Sequence, residues 1–333
     1  MTKSPVLVTG GAGYIGSHAV LALRDGGWPV VVIDDLSNGS REAVPGDVPF
    51  FEGSIADRGL VDRILAEQRI GAILHFAGSI VVPESVEKPL DYYANNTLAS
   101  HALISAAVAA GVPHIVFSST AAVYGEPERV PIEEDDHKQP INPYGASKLM
   151  TERMLADTAA AFPINYAALR YFNVAGADPD SRAGQVGKGS THLIKVAVEA
   201  ATGKRDHVDV FGTDYPTPDG TCVRDYVHVS DLADAHVAAL EWLIERPQDN
   251  LVLNCGYGQG LSVIEVLDAL NRVAGEPVPR VIGPRRAGDP PLLVASNRAL
   301  VDTLGWSPRF AEIDAIITHA LAWERILQAR AGS

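Results

Sequence analysis

The stretch that most limits what this chain can become lies at its start. Val6-Leu7-Val8-Thr9 is a short apolar run of the kind used by a parallel strand covered on both faces, and it leads straight into Gly10-Gly11-Ala12-Gly13-Tyr14-Ile15-Gly16. A helical stretch follows to about Arg24, then a second apolar run over 30 to 33 that ends in Asp34-Asp35. Strand, glycine turn, helix and acid-tipped strand open a doubly wound parallel α/β sheet of Rossmann type. Gly10, Gly13 and Gly16 allow a tight turn, close approach of backbone N–H groups to a pyrophosphate, and close helix packing. The helix start faces those phosphates with its partial positive charge. Asp34 suits ribose hydroxyls and repels a 2′-phosphate, which favours NAD; Arg41, nearby in sequence, keeps NADP open.

The alternation continues. Strands are expected near 48 to 52 and over 72 to 76, with a helix from 57 to 68 between them. His75 lies inside an apolar strand and reads as a packed core histidine. One long helix is expected from 90 to 110, carrying Asn95 and Asn96, followed by a strand from 114 that delivers Ser118, Ser119 and Thr120 to the ligand-binding edge of the sheet. Residues 125 to 141 read as a polar loop and 166 to 172 as a strand, while 174 to 189 have no periodicity and mark a crossing into a second domain. Beyond it come a helix near 191 to 200, a strand over 208 to 211, a helix capped by Ser230, a strand over 251 to 254 returning to the first sheet, and a closing helix near 312 to 327. The expected division is a cofactor domain over 1 to 173 and a smaller α/β substrate domain over 174 to 333, with about 225 to 257 returning to the first.

Asn142-Pro143-Tyr144-Gly145-Ala146-Ser147-Lys148 starts another helix, with Asn142 as N-cap and Pro143 in the first turn. Tyr144 and Lys148 then share one face. Bringing a phenol from about 10 to neutral pH takes roughly 4 kcal/mol. One ammonium about 4 Å away at an effective dielectric of about 20 supplies that much. The pair thus reads as a tyrosinate base that needs no metal. A nicotinamide cofactor beside Thr120, Tyr144 and Lys148 suits proton abstraction from an alcohol whose carbon gives up hydride. Asn173, Arg224, Arg286 and Asp289 suit a phosphorylated substrate, since guanidinium forks match phosphate oxygens.

Bulk composition narrows the partners. Among 333 residues, 27 are Lys or Arg and 41 are Asp or Glu, a net charge of −14 that argues against general nucleic-acid or anionic-membrane binding. Two cysteines form no disulfide framework or metal-ligand spacing, no apolar run is long enough to span a bilayer, and no signal segment is apparent, so a cytoplasmic location is expected.

TGGAGYIGSH at 9 to 18, HFAG at 75 to 78, NPYGASK at 142 to 148, RYFNVAGA at 170 to 177, FGTDYPTPDGTCVRDYVHVSDLADAH at 211 to 236 and PRRAGDP at 284 to 290 together resemble the UDP-glucose 4-epimerases, extended short-chain dehydrogenase/reductases. The glycine motif and the Tyr-Lys pair mark only the superfamily; the 211 to 236 block is much narrower. The resemblance implies bound NAD and a UDP-sugar whose C4 is inverted through a 4-keto intermediate, with hydride lent to the cofactor and returned to the other face. It implies Tyr144 as proton acceptor, Thr120 on the sugar 4-oxygen and Lys148 on the nicotinamide ribose. Around the cofactor it implies Gly10, Gly13, Tyr14, Ile15, Gly16, Asp34, Asn38, Ser54, Ile55, Phe76, Ala77, Gly78, Asn95, Ser118 and Tyr171. Around the substrate it implies Thr120, Asn173, Leu193, Val208, Phe211, Arg224, Tyr226, Arg286, Asp289 and Leu293, and it implies a homodimer. Several positions depart from the pattern. Thr120 replaces a common Ser, Ile80 replaces a lysine of some relatives, Ser54 replaces a frequent Asp, and Leu293 is intermediate between the residues that gate 2-acetamido sugars. A nucleotide-sugar 4,6-dehydratase is the nearest rival, but it needs an acid and base where this chain has Ala121 and Ala122. A non-catalytic NAD-binding scaffold has no need of Thr120, Tyr144 and Lys148 together.

Overall fold

The computed structural model describes residues 3 to 186, 190 to 286 and 290 to 331. Its first half alternates as the apolar runs require. β1 (Val6–Thr9) leads into α1 (Tyr14–Asp25), followed by β2 (Val30–Asp34), β3 (Phe50–Glu52), α2 (Arg58–Glu67) and β4 (Ala72–His75). Asp57 caps α2, its carboxylate accepting from Leu60 N.

The single helix expected from 90 to 110 is instead broken into α3 (Val82–Glu87), α4 (Pro89–Tyr92), a π-helical stretch (Tyr93–Leu98) and α5 (Ala99–Ala110). Pro83 and Pro89 each occupy a first turn, where the missing N–H is harmless, so the chain restarts a helix at each. The wide π turn swings Asn96 inward, where it is buried.

β5 (His114–Thr120) runs two residues past the expected Ser118, because Ser119 and Thr120 pair with Arg170 and Tyr171 of β6 (Asn165–Tyr171). Between them lies α6 (Pro143–Ala161), with the Asn142 side chain accepting from Gly145 N as its cap. The second half contributes β7 (Asn173–Ala175), α7 (Leu193–Ala201), β8 (Val208–Phe211), β9 (Val223–His228), α8 (Val229–Glu245) and β10 (Leu251–Cys255). It ends with β11 (Gly260–Ser262), α9 (Val263–Ala274), β12 (Arg280–Gly283), β13 (Leu292–Leu293), α10 (Arg298–Leu304) and α11 (Ile313–Ala331). The expected Ser230 cap is corrected to His228, whose buried, neutral imidazole accepts from Ser230 N at 3.0 Å, so α8 starts before the serine.

Seven parallel strands form the main sheet in the order β10-β6-β5-β4-β1-β2-β3, and β10 returns to it beside β6. Strand order reverses at the β1/β4 junction, which opens a crevice at the carboxyl ends where such sheets take ligands. One core continues from β1, β2, α1 and α8 into α7, α9 and α11; the opposite sheet face packs under α2, α5 and α6. All residues of β1 and β2 are buried, and each Val, Leu or Ile there gains roughly 1.5–3 kcal/mol from leaving water. In the second half, β9 is flanked by β11 and β13 and also pairs with β7, while β8 and β12 form a separate parallel ribbon. His75 is a core residue as read: its ring bonds Thr9 and Ser100 at 2.8 Å each.

Candidate active site

A cavity of about 680 Å³ opens along the carboxyl edge of the sheet, from the glycine turn past β4 and β5 to the start of α7. At one end, Gly10 has φ +69°, and a Cβ there would sit 2.6 Å from Ala77 N. A Cβ on Gly16 would sit 2.1 Å from the Gly10 carbonyl, so only glycine lets the turn fold onto itself. The N-terminus of α1 has no side-chain cap and no acid in its first turn, which leaves its N–H groups to an anion. Asp34 accepts from Ala12 N at 2.9 Å and Leu36 N at 2.8 Å, and each carboxylate oxygen retains a lone pair for a hydroxyl. Arg41 turns away: its guanidinium lies over Phe50 and donates to the Val44 carbonyl at 2.8 Å. These features fit a dinucleotide with an unphosphorylated adenosine ribose. All cofactor-side residues named from sequence line the cavity except Lys148, and the departing residues Ser54 and Ile80 line it too.

Tyr144 and Thr120 share the cavity wall, and the Thr120 hydroxyl is near enough to the phenol to oppose the upward pull of burial on it. Thr120 Oγ1 also accepts from Ala122 N at 3.1 Å, which fixes its rotamer. Ser118 and Tyr171 hydroxyls bond each other directly beside them. Lys148 does not do what the sequence spacing suggested. Its Nζ donates to the Ser118 carbonyl at 3.0 Å and lies 5.0 Å over the Phe117 ring, reaching the strand instead of the phenol. Burial without a carboxylate partner lowers Lys148 to about 8, and burial raises Tyr144, opposed by the Thr120 hydrogen bond. The expected closeness of ammonium and phenol is therefore corrected: Lys148 bonds the strand, and burial holds the phenol above its ordinary value. Nζ lies just under the floor, where a Cβ on Gly78 would come within 3.7 Å of it.

The substrate-side residues divide. Thr120, Asn173, Leu193 and Tyr226 line the cavity, and Asn173 pairs with Tyr226 across β7 and β9. Val208, Phe211, Arg224, Arg286 and Leu293 lie outside it. Val208 is packed in the core, which corrects any side-chain contact expected of it. Arg286 lies 4.1 Å over the Phe211 ring, and Arg224, buried, is the register partner of Leu293. Asp289 lies outside the described residues.

Sequence reading gave no role to Asn96, Ser79 or Ser147, which shape this wall. Buried Asn96 accepts from Ser79 N at 2.7 Å and donates to Ser147 Oγ at 3.0 Å, tying the cavity rim to α6, while Asn95 bonds Ser79 Oγ at 2.9 Å. Periodicity does not separate these two asparagines; the resemblance assigned Asn95 to the cofactor, and the π turn leaves Asn95 on the cavity and buries Asn96 behind it. Among the described residues no cluster of metal ligands occurs and no helix is long and apolar enough to cross a membrane.

Comparison with known proteins agrees with this geometry. The UDP-glucose 4-epimerase of Azospirillum brasilense is 58% identical over 327 residues, covering 98% of this chain and 94% of the relative. The solved structure of Brucella ovis UDP-glucose 4-epimerase in complex with NAD superposes with a TM-score of 0.93 at 44% identity, covering 96% of this chain and 98% of that one. That of the Bifidobacterium longum UDP-glucose 4-epimerase in complex with NAD+ and UDP gives 0.91 at 38% identity, covering 97% and 98%. Residues 6–256 also match the model of the NAD dependent epimerase/dehydratase family, and with relatives this similar over nearly the whole chain, the chain belongs to that family.

Proposed function

We propose that this chain interconverts UDP-glucose and UDP-galactose by inverting C4 of the sugar through a transient 4-keto sugar, with NAD bound throughout. The observation that carries this reading is the Tyr144–Thr120 pair on the wall of a cavity whose other end is the α1 glycine turn. Tyr144 takes the proton of the 4-hydroxyl and later returns it. Thr120 holds the same oxygen and stabilises the phenolate through its hydrogen bond. Lys148 adds positive potential from beneath the floor. NAD, when bound, would supply the hydride acceptor and donor for C4 and a positive pyridinium that lowers the Tyr144 phenol. Gly10, Gly13 and Gly16 with the α1 N-terminus hold its pyrophosphate, and Asp34 its ribose. Arg224, Arg286 and Phe211 anchor the nucleotide, leaving the sugar loose enough to present either face.

Water elimination is disfavoured, because the two residues after Thr120 are Ala121 and Ala122 in a 3₁₀ turn and offer neither acid nor base. We read residues 1 to 173 as the cofactor domain and 174 to 333 as the substrate domain, with about 225 to 257 returning to the first, which the place of β10 beside β6 supports. Exposed apolar side chains on helical segments that pack together, Val86 of α3, Leu90 of α4, Leu98 of the π-helical stretch and Met150 of α6, support a homodimer through those helices. Both cysteines are buried and neither forms a disulfide among the described residues, in keeping with a reducing cytoplasm.

Incubating purified protein with UDP-galactose and no added NAD is expected to yield UDP-glucose without net cofactor reduction. Tyr144→Phe is expected to fold, retain NAD and lose nearly all turnover. A 4-keto-6-deoxy product, or full activity in the Phe variant, overturns the reading.

A further inference from the structure

Three side chains spaced one turn apart on α6 reach the same strand end. Tyr144 meets Thr120, Lys148 donates to the Ser118 carbonyl, and Glu152 accepts from the Ser119 hydroxyl at 2.5 Å. The first two belong to the chemistry already described, but Glu152 does not border the cavity. Ser118 and Thr120 do border it, and Ser119 between them faces the other way, as strand alternation requires. A contact at Ser119 therefore holds the reactive strand end from behind without entering the site.

That contact is rigidly built. Arg170 of β6 clamps Glu152 with two bonds, Nε to Oε1 at 2.9 Å and Nη2 to Oε2 at 2.7 Å, and its Nη1 donates to Tyr124 Oη at 2.8 Å and the Glu134 carbonyl at 3.0 Å. Ser119, Glu152 and Arg170 are 0%, 6% and 4% exposed. A buried ion pair adds little net stability over well-packed apolar residues, because desolvation offsets its attraction. What a bidentate fork does provide is a fixed orientation of the carboxylate. Arg170 also precedes Tyr171, whose hydroxyl bonds Ser118, so the clamp grips β5 and β6 together where they meet the cavity.

We propose that Glu152 is a positioning residue: through Ser119 and Arg170 it pins α6 against the end of β5, and so sets the contact between Tyr144 and Thr120. This rests on Tyr144 being the proton acceptor. Freed of the pin, α6 rides more loosely on the strand, the Thr120 hydroxyl stabilises the phenolate less well, and the enzyme requires higher pH to hold Tyr144 ionised.

The sharpest variant is Ser119→Ala, which removes one hydroxyl and leaves the Glu152–Arg170 pair intact, so the fold is retained. Expected are unchanged NAD content, a KM for UDP-galactose within about twofold, a kcat lower by about tenfold, and an acid limb of the kcat profile displaced to higher pH. Ser119→Thr, which restores the hydroxyl, is expected to recover most of the rate. Glu152→Gln is expected to move kcat and the limb further in the same direction. Wild-type kcat with an unmoved limb in Ser119→Ala overturns the proposal, as does a drop in melting temperature with both unchanged. If Tyr144→Phe remains active, the underlying reading falls; if that variant is dead while Ser119→Ala matches wild type, only the role of Glu152 falls.

Discussion

Replacing Lys148 by methionine removes a cation that the fold holds at a loss. The side chain is 2% exposed, and burial lowers its pKa from 10.5 to about 8. Since one pKa unit corresponds to about 1.4 kcal/mol, keeping the ammonium charged at pH 7 costs the folded state roughly 3 kcal/mol. Methionine has similar length and no charge to desolvate, but it forfeits the charged bond to the Ser118 carbonyl, worth about 1.5 kcal/mol. The net expectation is a gain of roughly 1.5 kcal/mol, a melting temperature higher by about 2 °C. The sign follows from linkage. Below the folded value of about 8, both states carry the proton and the full penalty stands; between 8 and 10.5 the folded amine is neutral while the unfolded one is still charged, so the wild type regains stability as pH rises. The penalty itself accordingly shrinks to about 1 kcal/mol near pH 9.5, and the advantage of the variant disappears there. Calorimetry at pH 7 and 9.5 on protein stripped of NAD measures this directly, stripping being necessary because bound ligand adds its own stabilisation. The same variant is expected to lose most of its turnover. A lower melting temperature for Lys148→Met at pH 7, or a difference that does not change with pH, refutes the reasoning.

Gly16→Ala places a methyl group 2.1 Å from the Gly10 carbonyl, so purified variant is expected to carry no NAD, read from its absorbance spectrum and from nucleotide released on denaturation. Thr120→Val is expected to lower kcat by about a hundredfold, in line with the loss of one donor to a developing oxyanion, while Thr120→Ser retains most of the rate; equal losses in both implicate packing instead of the hydroxyl. Arg286→Leu removes an exposed guanidinium stacked on Phe211, so the KM for UDP-galactose is expected to rise about tenfold with kcat nearly unchanged, and titration calorimetry with UDP should show the same weakening.

The doubly wound sheet, the Asn142 cap, the core position of His75 and the return of 251 to 254 to the first sheet were all legible in the chain, because each depends on local periodicity, on capping chemistry or on glycines that no other residue can replace. The glycine turn, Asp34, Thr120 and Tyr144 were legible for the same reason, since a strand end, a helix start and a glycine turn are local features whose tips doubly wound topology brings to one edge; Asn38, Ser54, Ile55, Asn95, Tyr171, Leu193 and Tyr226 came from the resemblance alone. What spacing could not settle was where long side chains go once they leave the helix. Tyr144 and Lys148 do share a face, yet Lys148 spends its reach on a carbonyl of β5, because in a desolvated floor the nearest acceptor outweighs a neutral phenol. Whether Asn95 or Asn96 faces inward depended on a π turn forced between two prolines and α5, and the grip of Glu152 on Ser119 depended on β6 supplying Arg170 from another part of the chain. Sequence alone determined which elements form and which tips converge. Only the tertiary structure decided which charges are desolvated and what they bond, since that depends on neighbours brought together from distant parts of the chain.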